Sequence, residues 1–384
     1  MYYFLIFLFL CLACYASISI DGNRISRLNY FIVFLLFWLT SGLRFETGMD
    51  YFAYENIYNV TNSFGEIVKY GRVSEIGAEP GYLFLNSLFR TLGTEVNIMF
   101  LFISLLTTLM LFNSLKLYLN KYKYFVLLTY FSFVYFTLDM SGVRQAIAVN
   151  IFIFSLRYVH DKKKIKYFAC IILASFFHTS ALIGLILYWL FNKKLNTLFI
   201  IGSTLFGLLI IALQIPIVNI IIDNFLSRFI PAGALFKLLY YSSNDKPWGL
   251  NIKVIFNVIV LFVLLYNRTV LSNRFSYFNI ILNSLFFYIF LREILWESIN
   301  INSRLNFYFI SGLIMGFPLL IDIGERKYYK LSVFASIILV CFYQCSEFFI
   351  YRSAANPYQN YVVYKVFELD STGKERFLEE ANKQ

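Results

Sequence analysis

Apolar residues in this chain fall in long unbroken runs divided by short polar connections. The runs at 1–20, 96–115, 195–214, 251–267, 275–291, 304–322 and 329–350 approach the roughly 20 residues that a helix needs to cross a bilayer. Shorter runs lie at 29–43, 124–139 and 143–159, and the run 167–191 is interrupted in its middle by His178, Thr179 and Ser180. None alternates apolar and polar residues as a barrel strand would. Helices, whose backbone bonds close within the segment, suit such runs in lipid. The pattern predicts an all-α polytopic membrane protein with about 10–12 transmembrane helices. Residues 1–350 form its membrane domain, and 351–384 a short soluble tail.

Composition points the same way. Of 384 residues, 59% are hydrophobic and 14% charged. A soluble globule is about 25% charged and has no means of hiding so much apolar surface. The net charge of +11 is gathered into connections: Arg24 and Arg27; Lys116, Lys121 and Lys123; Arg157, Lys162, Lys163, Lys164 and Lys166; Lys193 and Lys194; Arg268 and Arg274; Arg326, Lys327 and Lys330. Excess Lys and Arg marks the cytoplasmic side of a membrane protein, which excludes nucleic acid as the reason for the charge. All these clusters face inward only if 167–191 enters and returns as a broken hairpin, with both termini outside. The first run carries no Lys or Arg before Arg24 and reads as a retained helix, not a secretory signal. Cys11, Cys14, Cys170, Cys341 and Cys345 all sit in apolar runs. With only two His in the chain, they do not suggest a metal centre.

The opposite face is acidic. Segment 44–95 holds four positive and seven negative side chains, as expected of an outer loop. Within it, Pro80 to Leu92 has apolar residues at helical spacing and reads as an interfacial helix. A second outer loop, 215–250, carries Pro216, Pro231, Gly233 and Pro247.

Several ionisable residues fall at this outer boundary: Arg44, Asp50, Glu79, Arg144, Arg292, Glu293 and Arg304. His178 lies about 17 Å into its segment at 1.5 Å per residue. Arginine in a membrane is costly and needs an anionic partner. The outer carboxylates are one source and a bound phosphate another, because the guanidinium fork matches phosphate oxygens. Each residue also has a plainer reading. Arg44 and Arg304 suit interface anchors, Arg292 and Glu293 a structural ion pair, His178 a core position, and Asp50 and Glu79 helix caps. Arg144, at a helix start, opposes the macrodipole, which argues for a partner or a role.

Read in order, RFETGMDYFAYENIY, EPGYLFLNSLFR, SGVRQAIAVNIFIFSLRYV and ASFFHTSALIGL resemble the EpsG/Wzy family of membrane oligosaccharide-repeat polymerases. The resemblance covers roughly 35–190 in motif form and the whole chain in span layout. It implies a GT-C-like membrane glycosyltransferase at the outer face of a bacterial plasma membrane. Such an enzyme moves a growing chain from its polyprenyl diphosphate carrier to the nonreducing end of an incoming lipid-linked repeat unit. The partners implied are polyprenyl-diphosphate-linked oligosaccharide, the lipid bilayer and a chain-length regulator protein. Catalytic candidates are Arg44, Asp50, Glu79, Arg144, His178, Arg292 and Arg304, with Tyr51, Tyr54, Tyr82 and Gln145 binding substrate. Arg292 and Arg304 rest on the layout alone. No Asp-x-Asp occurs, so arginines take the place of a metal on the departing diphosphate, and no cofactor is expected. The alternative is a transporter or flippase of lipid-linked sugars.

Overall fold

A computed structural model describes residues 1–19, 23–191, 193–226, 247 and 249–383. Much of the outer loop expected at 215–250 therefore lies outside the described residues. Among the described residues the protein is all-helical, with only two isolated bridges, Arg44 to Asn360 and Thr61 to Ser74. This fits apolar runs whose backbone has no water to bond.

The number of spans differs from expectation. Among the described residues two helical stretches, Val96–Tyr135 and Lys327–Ile350, are long and apolar enough to cross a membrane, and five qualify if each bent pair counts as one. Most of the other expected runs also form helices, but short or bent ones. Thr197–Ala212 meets Ile217–Asn224 at 97°, Ile252–Tyr266 meets Arg268–Arg274 at 75°, and Ile299–Asn306 meets Ile310–Asp322 at 64°. Tyr2–Ile18, Arg27–Gly42 and Thr179–Phe191 are apolar but shorter. The 40-residue stretch is not one rod. Phe112 and Phe131 both pack on Phe37, with ring centroids 5.6 and 5.9 Å away, whereas nineteen residues of straight helix would separate them by about 28 Å. The chain turns back at the 3-10 turn Asn120–Tyr122.

The interrupted run folds back too. Helix Lys164–Ser175 ends before His178, a 3-10 turn spans Thr179–Ile183, and helix Gly184–Phe191 follows. Tyr167 donates to the Gly184 carbonyl at 2.8 Å, and its ring lies 5.3 Å from Tyr188. Residues near the start and end of the run are thus neighbours.

The chain divides into two compact units. The first comprises Met1–Arg157, Ala169–Thr179 and Leu331–Gln384. In it, Asn23–Gly42 packs along Val96–Leu119: Trp38 Nε1 donates to the Leu101 carbonyl at 3.0 Å, and Ser41 and Ser104 share a hydrogen bond. The segment after Tyr351, expected as a separate soluble tail, is hydrogen-bonded along residues 43–48. Tyr361 N donates to the Leu43 carbonyl (2.7 Å), Phe45 N to Gln359 (2.9 Å) and Gly48 N to Ala354 (2.9 Å). Ser371 donates to the Glu46 carboxylate at 2.6 Å.

The second unit comprises Tyr158–Phe168 and Ser180–Lys330. Its centre is Phe278–Ile294 against Ile310–Leu319. A Cβ at Gly312 would fall 2.0 Å from Leu285 N, and Ser284 and Ser311 bond at 3.0 Å. Small residues that let backbones touch are how helices associate without a hydrophobic driving force.

Candidate functional site

The first two motifs singled out in the sequence, the third up to Arg157 and the fourth up to Thr179 lie in the first unit. The loop after Asn23–Gly42 carries Arg44 and then Gly48, at φ +114°, where a Cβ would stand 2.2 Å from the Met140 carbonyl. Only glycine permits that backbone and that approach. Met49 N donates to Ser141 Oγ at 3.1 Å, so this loop is joined to the turn preceding Arg144. Gly81, at the start of helix Pro80–Thr91, donates its N–H to the Phe176 carbonyl at 2.8 Å, which brings the break holding His178 against the EPGY motif.

Arg144, second residue of helix Val143–His160, closes the arrangement: its Nη1 meets Glu79 Oε2 at 2.5 Å. Glu79 occupies the N-cap of Pro80–Thr91 but makes no capping bond. Its carboxylate offsets the poor placement of a cation at a helix start instead. The Arg144 guanidinium lies 5.7 Å from the Tyr54 ring, and the Tyr54 and Tyr82 rings are 5.5 Å apart. Burial pushes the Tyr82 phenol up, while the charges of both Arg144 and Arg44 pull it down, so the two guanidiniums act on one hydroxyl. Tyr54 is likewise raised by burial and opposed by Arg144.

Arg44 is 1% exposed. Its Nη1 donates to the Ser41 carbonyl, and the group lies 4.3 Å from the Phe100 ring centroid. Its Nε and Nη2 are buried without a hydrogen-bond partner. A snorkelling anchor would reach water; this side chain does not. Buried polar atoms are almost always paired, so a buried cation with two idle donors invites an anion.

The other expected residues divide as follows. Tyr51 is buried and donates to Asn97 Oδ1 at 3.2 Å. Asp50 is exposed at the N-cap of Tyr51–Val60 without a capping bond. Gln145 is buried beside Arg144 in sequence, and His178 is half-buried in its break. Arg292 and Arg304 belong to the second unit, on Phe278–Ile294 and Ile299–Asn306. There Ser180 donates to the Tyr308 hydroxyl at 3.1 Å and lies 3.5 Å from the Arg304 carbonyl.

The ion pair between Arg292 and Glu293 is not formed. Both Glu293 oxygens are buried without a partner, pressed against Gly207, where a Cβ would fall 2.2 Å from Oε2. Adjacent helix positions point about 100° apart, so neighbours in sequence seldom pair.

Sequence reasoning missed Asp139, buried and hydrogen-bonded to Tyr130, and Asn86 and Ser87, whose Oδ1 and Oγ are buried without a partner on Pro80–Thr91. The signal for Asp139 was an acidic residue closing an apolar run five positions before Arg144. Among the described residues no group of His, Cys, Asp and Glu is arranged to hold a metal ion.

No curated protein matches the chain, and no solved structure does. A family model, described as the EpsG family, matches residues 27–366.

Proposed function

The chain belongs to the EpsG family of membrane proteins associated with polysaccharide biosynthesis, and from that premise we propose that it is a GT-C-like polymerase of lipid-linked repeat units. It transfers a growing oligosaccharide from its polyprenyl diphosphate carrier to the nonreducing end of an incoming unit, at the outer face of the plasma membrane. The observation that carries this reading is Arg44, fully buried with Nε and Nη2 idle, on a loop tied through Met49 and Ser141 to the turn before Arg144. A departing diphosphate gains negative charge as the glycosidic bond breaks. Preorganised guanidiniums stabilise that charge most effectively where water is excluded. Tyr54 and Tyr82 offer faces for sugar rings beside Arg144. Arg292 and Arg304 remain candidates for the carrier or acceptor diphosphate, His178 and Asp50 for proton transfer, and the reaction needs no metal.

Arg144→Ala is expected to abolish long-chain polysaccharide while the protein keeps its normal membrane level and single repeat units still reach the surface. Persisting long chains would remove Arg144 from the mechanism. The bent helices at 212–217 and 306–310 favour a transporter of lipid-linked sugar, since transporters build midplane sites from broken helices. In that case the same variant stops single units from reaching the surface. Extension of polyprenyl-diphosphate-linked units by the purified full chain in chelator decides between transfer and transport, and tests metal independence as well.

A further inference from the structure

Asp139 has no part in the reading above. It lies between the π-helical stretch Phe131–Tyr135 and helix Val143–His160, and is 8% exposed. Such π turns occur often at functional sites. Its Oδ2 accepts a 2.7 Å hydrogen bond from the Tyr130 hydroxyl. Tyr130 is fully buried. The carboxylate is therefore held in a set orientation.

The turn bearing Asp139 is fastened to the loop bearing Arg44, through Ser141 to Met49 and through the close contact of Met140 with Gly48. The charge of Arg44 acts on Asp139. A carboxylate present only to neutralise Arg44 would close onto its idle Nε and Nη2, and Asp139 does not. Of the carboxylates expected at the site, Glu79 is paired with Arg144, and Asp50 is exposed.

Resting on the proposed function, we infer that Asp139, in place of His178 and Asp50, is the general base of the transfer. Its carboxylate takes the proton of the acceptor hydroxyl as that oxygen bonds the anomeric carbon. The bond from that carbon to the carrier diphosphate breaks, and its electron pair leaves on the diphosphate oxygen facing Arg44.

The test uses the full chain in two assays: polymer length in cells at matched membrane level, and binding of farnesyl diphosphate to the purified protein. Asp139→Asn is expected to lower polymerisation by about 10²–10⁴-fold, the usual contribution of a general base, with farnesyl diphosphate bound as tightly as by wild type or more so. Asp139→Glu, which keeps the carboxylate, recovers part of the rate. Arg44→Ala loses both polymer and binding. Wild-type polymer from Asp139→Asn overturns the role of Asp139 and leaves the polymerase reading standing. Equal loss of binding and transfer in Asp139→Asn makes it a support for Arg44 and overturns the base assignment. Failure of the wild-type protein to bind farnesyl diphosphate overturns the reading beneath.

Discussion

Arg44 poses the sharpest question at the scale of single residues, because a buried arginine is unfavourable unless something offsets it. Removing a buried cation that has no anionic partner removes its desolvation penalty, several kcal/mol per ion. If the idle donors of Arg44 exist to meet substrate, Arg44→Met should melt at or above the wild-type temperature yet make no long polymer. Arg44→Lys, a point charge without the fork, should lose about 10²-fold in rate, on the scale of one removed transition-state donor. A lowered melting temperature in Arg44→Met, measured on detergent-purified protein, would mark Arg44 as structural. The sequence exposed Arg44 and Arg144 because a charge at the end of an apolar run stands out. Asp139 closes an apolar run in the same way, but its setting reads as an ordinary turn until Tyr130, nine residues earlier, is seen to bond it. Glu79 was legible as a boundary carboxylate, but its partner, 65 residues away, was not.

Helical elements were mostly visible as apolar runs, whereas the tail was not, because backbone pairing between residues 43–48 and 354–361 leaves no periodic trace. Five positive and five negative side chains in 352–384 suggested a solvated segment. In the structure three of them hold it down: Arg352 bridges Glu347 at 2.8 Å and Glu380 at 2.9 Å, and Arg376 donates to the carbonyls of Ser353 and Pro357 at 3.0 Å. The tail therefore fixes the loop that carries Arg44. Burial raises the Glu380 carboxyl, but the hydrogen bonds from Arg352 and Ser353 outweigh it and hold the group below its ordinary value. A carboxyl depressed in the folded state stabilises fully above its unfolded pKa of about 4.3 and loses that contribution as pH falls through the folded value. Amides of Gly373–Lys383 should accordingly lose hydrogen-exchange protection on acidification below about pH 4. Glu380→Gln should show reduced protection already at pH 7. Unchanged protection in that variant would mean that the ion pair does not anchor the tail.

For the whole molecule, the sequence specified helix and membrane but not the length of each straight segment, since an apolar run records hydrophobicity and not straightness. The chain bends where Leu119 leaves helical geometry, with φ −149° and ψ 56°, and where Gln214 takes φ +53° just before Pro216. Hydropathy cannot register either feature, and the second is followed by a short helix, Ile217–Asn224, where an outer loop was expected. Orientation, in contrast, is governed by charge, and the charge pattern predicts acidic 44–95 outside and basic 157–166 inside. Glu75 and Lys164 are both exposed, so a cysteine at either position can be reached by reagent. In intact cells an impermeant maleimide should label Glu75→Cys directly. It should label Lys164→Cys only after the membrane is opened, with the five native cysteines replaced to remove background. Because every arginine assigned to the diphosphate depends on that orientation, labelling of Lys164→Cys in sealed cells, with Glu75→Cys protected, would move Arg44 and Arg144 to the cytoplasmic face and leave them no flipped substrate to act upon.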